Sequence, residues 1–291
     1  MPLDSSLVGT KVGPVVAEVD ARWAMAYAAG IGDNLPCYMD TRRDAGIVAH
    51  PVFPVCVEWE AAGAIRAKSR VGLTRAEAAR GVHATQHMIL HRLMRPTMRV
   101  STVAELISIQ QRKPGAYEVV RFETVDDQGT PICTTYSGSL YREVAVAGGD
   151  RPAEVPGPPA LAKLLPRPRA DIAVPISAGA AHVYTECARI WNPVHTDAKV
   201  AAAAGLPAII LHGTATLALA VSRIVGVEAG NDPERVAEIY GRFGAMVLMP
   251  SEIVVRIQAR EKTAGGEAIF FDAISAEGGR AVRDGVVMLR G

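Results

Sequence analysis

Written one above the other, VDARWAMAYAAGIGDNLPCYMD (19–40) and ISAGAAHVYTECARIWNPVHTD (176–197) align without a gap at an offset of 157 residues. Ala21 falls on Ala178, Tyr27 on Tyr184, Pro36 on Pro193 and Asp40 on Asp197. A second match follows in each copy: GIVAHPVFPV (46–55) pairs with AIILHGTATL (208–217) and sets His50 on His212 at an offset of 162. The second copy thus carries five extra residues between the two matches. A chain that repeats itself in this way builds one supersecondary unit twice, so either copy can be used to read the fold.

Both copies end alike. MRVSTVAELISIQ, AYEVVRFETV and TPICTTYSGSLYR are β-branched or aromatic runs separated by the turn signals RKPG and DDQG. In the second copy SEIVVRIQARE, GEAIFFDAIS and RAVRDGVVMLRG are separated by TAGG and AEGG. Each half reads as a strand, a helical stretch and an antiparallel meander, and HGTATLALAVSRIVGV supplies a mostly apolar helix for a curved sheet to wrap. The expectation is an α+β pseudo-dimer: a unit over 1–146, a Pro/Gly-rich linker over 147–170, and a second unit over 171–291.

Composition narrows the partners. Thirty-one Lys and Arg against 30 Asp and Glu give a net charge of +1 with no long run of one sign, which argues against a nucleic-acid groove or a polybasic membrane patch. A small molecule or another protein is the expected partner. Cys37, Cys56, Cys133 and Cys187 form no CxxC pair, which fits a reduced, cytoplasmic protein better than a disulfide framework or a structural zinc site. MPLDSSLVGTKVG lacks the basic start and apolar core of a signal peptide. The apolar run from Ala201 to Ala220 contains Pro207, His212 and Gly213, so it reads as a loop leading into a buried helix rather than a membrane span. No G-x-G-x-x-G, P-loop or G-x-S-x-G occurs, so nucleotide binding and α/β-hydrolase chemistry have no support.

The repeated arrangement together with WNPVH, ILHGTATL and the phrase GRFGAMVLMP (241–250) resembles the double hot-dog proteins of the MaoC-like family, the R-specific enoyl-CoA hydratases. The resemblance is strong over roughly 171–250 and mainly architectural over the first half. It implies two antiparallel sheets, each wrapping a central helix, and a hydro-lyase acting on an acyl-CoA or acyl-carrier thioester without cofactor or metal. A homodimer of the single-chain pseudo-dimer is a candidate further assembly. In that family a loop Asp-x-Asn-Pro-x-His places an Asp and a His around one water. Carried over residue by residue, the His is His195, the Asn is Asn192 and the Pro is Pro193, but the Asp position is Ile190 and the Gly before it is Arg189.

The residues themselves admit that chemistry. His195 can act as acid or base because an imidazole titrates near neutral pH. Asn192 can orient a water or a thioester through its amide, and Pro193 fixes the backbone between them. If Gly213 opens the central helix, its N–H and the helix dipole face whatever sits at that terminus, and the resemblance makes this the oxyanion hole. Trp191, Pro193 and Thr214 are candidates for substrate contact, and His212 for an auxiliary role. Glu186, four residues before Ile190, could replace the missing acid if 178–188 is helical and turns it inward. Asp197 reads as the N-cap of DAKVAAAAG.

The first half has lost this set. Pro51, which has no N–H, stands where Gly213 does, Tyr38 where His195 does and Leu35 where Asn192 does. It keeps Asp33 opposite Ile190, which reads as a loop or capping residue. The first half is expected to shape a pocket for the acyl chain. His83, His87 and His91 have the spacing of a helical metal face, but no carboxylate or Cys accompanies them, so hydrogen-bonded or solvent-facing histidines are expected. Two other readings stand beside the hydratase: a single-base isomerase, cyclase or thioesterase, and an acyl-CoA-binding subunit without activity.

Overall fold

Alternation along the strands, apolar inward and polar outward, sorts both copies onto the same sheet. The computed structural model describes residues 2–162 and 167–291. In the first half β1 is Lys11–Val19, β2 Gly81–Leu90, β3 Met98–Arg112, β4 Gly115–Asp126 and β5 Pro131–Arg142. In the second, β6 is Ala170–Ile176, β7 Val236–Phe243, β8 Ser251–Thr263, β9 Gly266–Ile274 and β10 Arg280–Leu289. All ten join one sheet in the order β1-β3-β4-β5-β2-β7-β10-β9-β8-β6. Read from either end the order is the same once each strand is exchanged for its counterpart.

The two five-stranded sheets fuse at their centre, where β2 and β7 pair antiparallel with Thr85 opposite Arg242, His87 opposite Tyr240 and Ile89 opposite Glu238. This is the α+β pseudo-dimer that the repeat implied and the double hot-dog that the resemblance implied, with its two sheets merged edge to edge.

Two helices lie at the pseudo-twofold axis. α1 (Ala21–Gly30) is capped by Asp20, whose carboxylate accepts from Trp23 N–H at 2.7 Å, and it packs on its counterpart α3 (Ala180–Ala188). α2 is Trp59–Ser69 and α4 is Gly213–Glu228. The equivalent tyrosines Tyr27 and Tyr184 bring their hydroxyls to 3.5 Å of each other. Gly30 is required there, since a Cβ would come within 2.8 Å of Cys187 Cβ.

The central helices differ. α4 is apolar on nearly every side and is buried from Ala215 to Ser222, as a helix without a polar face must be. α2 follows a separate single turn at Pro54–Val57 and buries only Ala61, Ile65 and Ser69.

The run from Ala201 to Ala220 resolves into the end of a short helix, Ala198–Ala203, a loop and the first half of α4. Among the described residues no helix is long and apolar enough to cross a membrane. His83 and His87 lie on β2, not on a helix, and His91 just beyond it. An irregularity between His83 and Thr85 turns His83 toward Ser137, while His87 Nε2 meets Glu238 Oε1 at 2.7 Å. Along a strand residues four apart stand about 13 Å from one another, too far to share one ion, and no metal-holding group occurs among the described residues. Of the Pro/Gly-rich stretch 147–170, residues 163–166 lie outside the described residues. Ahead of them Val146–Ala147 pairs with Leu3–Asp4, and Arg151 bridges to Ile109.

Candidate active site

The loop after α3 begins where Arg189 takes the left-handed conformation (φ 57°) and ends the helix. Its guanidinium settles 4.1 Å over the Trp23 ring. Ile190 N–H then bonds Thr185 C=O at 3.1 Å, and the Ile190 side chain is buried in the main core. Asn192 caps the next turn, its side-chain oxygen accepting from Val194 N–H at 3.4 Å, and Pro193 opens a single 3-10 turn that ends on His195.

His195 is oriented by its ring nitrogen. Nδ1 lies 2.8 Å from Ile210 C=O, and a carbonyl can only accept, so the proton sits on Nδ1 and Nε2 is left with its lone pair. Burial holds the imidazole below its ordinary pKa, with the Ile210 bond acting in the opposite direction. The ring is therefore neutral at neutral pH.

Against it stacks His212, with ring centroids 3.7 Å apart and planes 27° off parallel. His212 is buried, its Nε2 is 3.3 Å from Thr185 Oγ1, and burial together with neighbouring His195 pushes its pKa to about 2. A neutral His212 packs the His195 ring in place without adding a charge.

α4 starts at once after His212 and has no side-chain cap, so the Gly213 N–H is one of the donors that a helix leaves without an internal partner. Gly213 is also a packing requirement: a Cβ there would meet the Phe243 ring at 3.0 Å. Thr214 is held by Tyr184, whose hydroxyl donates to Thr214 Oγ1 at 3.1 Å. An uncapped helix start beside a neutral imidazole can polarise a carbonyl while a proton moves at its neighbour.

Asn192, His195, His212, Gly213 and Thr214 border one cleft of about 1660 Å³. Residues 166–274 match the family model of the MaoC like domain, and residues 6–135 match that of the FAS1-like dehydratase domain region. The chain belongs to the MaoC-like dehydratase family. It is 27% identical to the 3-hydroxyacyl-thioester dehydratase Y of Mycobacterium tuberculosis over 97% of this chain and 96% of that protein. A UPF0336 protein of Saccharopolyspora erythraea is 31% identical over 50% of this chain and 95% of its own length. Among solved structures, a MaoC-like dehydratase from Phytophthora capsici superposes with a TM-score of 0.82 at 21% identity, covering 97% of this chain and 96% of that one.

Within this MaoC-like chain the cleft is lined by Ile190, Trp191, Asn192, His195, His212, Gly213 and Thr214. Pro193 faces outward and does not line it. Glu186 must be corrected: α3 buries Ala181, Tyr184, Thr185 and Ala188, which leaves Glu186 on the opposite, exposed face and away from the cleft. It cannot supply the missing acid. Asp197 caps Ala198–Ala203, accepting from Lys199 N–H at 2.8 Å. Asp33 is buried outside the cleft lining, where one carboxylate oxygen accepts from Leu35 N–H at 3.4 Å and burial raises its pKa.

The sequence pointed to a first-half pocket but not to the polar residues of its wall: Glu58, Arg66, His83 and Ser137 all line the MaoC-like cleft. One signal was present. The 162-residue offset sets Glu58 on Ala220, which is fully buried, so a charged residue stands where the repeat demands an apolar one.

Proposed function

We propose that this chain adds water to a trans-2-enoyl thioester, or removes it from a 3-hydroxyacyl thioester, with His195 as the acid/base. The observation that carries the reading is the His195 ring itself: Nδ1 is committed to Ile210 C=O while the residue lines the cleft beside the start of α4. In hydration, neutral Nε2 takes a proton from water as the water oxygen bonds to C3. Electron density moves from the double bond into the thioester carbonyl, where the Gly213 N–H and the Asn192 amide stand as donors. The same imidazole then returns its proton to C2. One group thus serves as base and acid in turn, because the position of the family's acid is an apolar side chain.

The test is hydration of trans-2-enoyl-CoA thioesters, short, branched and aromatic, by wild type and by His195→Ala. Turnover that falls about 10²–10⁴-fold in the variant supports the reading. Unchanged turnover in the variant sinks His195 as the acid/base.

Ile190 favours a second reading. Its buried, apolar side chain supplies no second acid to the cleft that His195 lines, which suits proton abstraction by one base more than water addition. Wild type that exchanges the C2 proton of a saturated acyl-CoA with deuterium, yet hydrates none of the enoyl thioesters, would select single-base chemistry.

A further inference from the structure

Beyond His195 the cleft runs between α2 and the first-half sheet, where charged and hydroxyl groups stand among its apolar side chains. Glu58, Arg66, Arg70, His83, Gln86 and Ser137 line it. A plain hydrocarbon chain pressed against these groups would strip them of water without repaying their hydrogen bonds. The charge is also one-sided: seven Arg and Lys side chains line the cleft against a single carboxyl, Glu58, in a protein whose net charge is +1.

Glu58 does not offset that charge. Its Oε1 accepts from Thr135 Oγ1 at 2.6 Å, and burial pushes its pKa up to about 8, so it is mainly neutral at pH 7.

Arg66 is one of several lining cations without an ion pair, and it is the one that lies on the ring of Trp59. Its guanidinium lies 4.5 Å over the Trp59 ring, half-buried, with no hydrogen bond or ion pair among the described residues. Neighbouring Arg70 is answered: its Nε donates to Tyr141 at 2.8 Å, and Tyr141 donates to Glu118 at 2.7 Å.

A chain of contacts ties Arg66 to the site. Phe243 packs on Gly213, the His83 ring lies 4.6 Å from that of Phe243, and burial together with the charge on Arg66 pushes the pKa of His83 down to about 4.

We propose that the first-half chamber receives an acyl group that itself carries a carboxylate, with Arg66 as the residue that binds it. This rests on the thioester reading above and names the substrate class within it. A planar guanidinium fork matches one carboxylate with two parallel hydrogen bonds, and burial makes the pairing stronger than it would be in water. Arg66 stands half-buried on the face of Trp59 within the first-half wall, which suits the buried end of an acyl chain better than the diphosphate of a CoA, which reaches further into solvent.

The experiment compares trans-2-enoyl thioesters of equal length that end in methyl or in carboxylate, each as CoA and as pantetheine derivatives. Wild type, Arg66→Met and Arg66→Lys are measured side by side. The expected result is a kcat/KM preference of at least about 10-fold for the carboxylate-ended substrate in wild type. Arg66→Met should lower it about 10- to 100-fold on that substrate, leaving the methyl-ended one within about 2-fold as a control for folding. Arg66→Lys should fall between.

An equal loss on both chain ends overturns the proposal. If that loss also vanishes with pantetheine thioesters, Arg66 binds the CoA phosphates instead. Should no thioester turn over, the hydratase reading fails, and calorimetric binding of saturated acyl-CoAs with the two chain ends still decides. A carboxylate preference that Arg66→Met abolishes supports the chamber, whereas equal affinities refute it.

Discussion

The two halves share one plan and spend their interiors differently. In the second, α4 packs Leu217, Val221 and Ile224 against the sheet and leaves its chemistry at the helix start. In the first, α2 begins later, buries little, and keeps a charged and hydroxyl-bearing wall open to the cleft. Each half thereby lacks what the other has: the second has a filled interior and an uncapped helix start at Gly213, the first an interior open to the cleft and Pro51 at the position matching Gly213. The division of labour lies between halves of one fold, not between two folds.

The sharpest way to break this contrast is to move Glu58 to its counterpart. Ala220→Glu puts a carboxyl among fully packed apolar side chains with no partner, and should destabilise the protein by about 3–5 kcal/mol in urea unfolding. A variant as stable as wild type would show that the second interior is as receptive to charge as the first.

Gly213→Ala follows. Its Cβ would press on Phe243 at 3.0 Å, so we expect about 1–3 kcal/mol of destabilisation with turnover down by about 10-fold or more. Pro51→Gly, at the matching point of the first half, should leave turnover unchanged.

Linkage to pH gives a third, smaller effect, of opposite sign in different groups. Glu58 is raised to about 8, so its carboxyl stabilises the fold below the unfolded carboxyl pKa, and that contribution is lost as pH rises from there through about 8. His50, His83 and His212 are lowered, to about 3, 4 and 2, so the stability they withhold from the unfolded state is present above the unfolded pKa of 6.5 and lost as pH falls. Thermal unfolding should therefore show Glu58→Gln removing the decline between about pH 4.5 and 8 while leaving the acid limb below that range in place. An acid limb that flattens instead would contradict the assignment.

The smallest effects belong to acids outside the cleft. Asp33→Asn and Glu186→Gln should each keep kcat/KM within about 2-fold of wild type.

What the sequence made legible was local. The repeat, the turn signals and the Asn-Pro-x-His loop depend on neighbouring residues and fixed offsets, and the loop's cap and the helix start at Gly213 lie where those offsets place them. The first-half wall was hidden because charges spaced along a helix read as a solvent face, and nothing local says that a cleft, not bulk water, lies beyond Arg66. Glu186 shows the reverse error. Which side of α3 faces inward is decided by its packing against α1, a partner far away in sequence.

The central seam between β2 and β7 joins two parts of a single polypeptide, and that has a consequence for how such a molecule can change. In a twofold homodimer every substitution is made twice, so a proline that silences one helix terminus silences both. Here the seam is written once per chain, and a change on one side leaves the other untouched. The Gly213 terminus could be kept while Pro51 closed its twin, and an arginine could enter one interior without entering its mirror image. Joined in one chain, the two halves need not match, and the cleft that spans the dyad is lined by residues present on one side only.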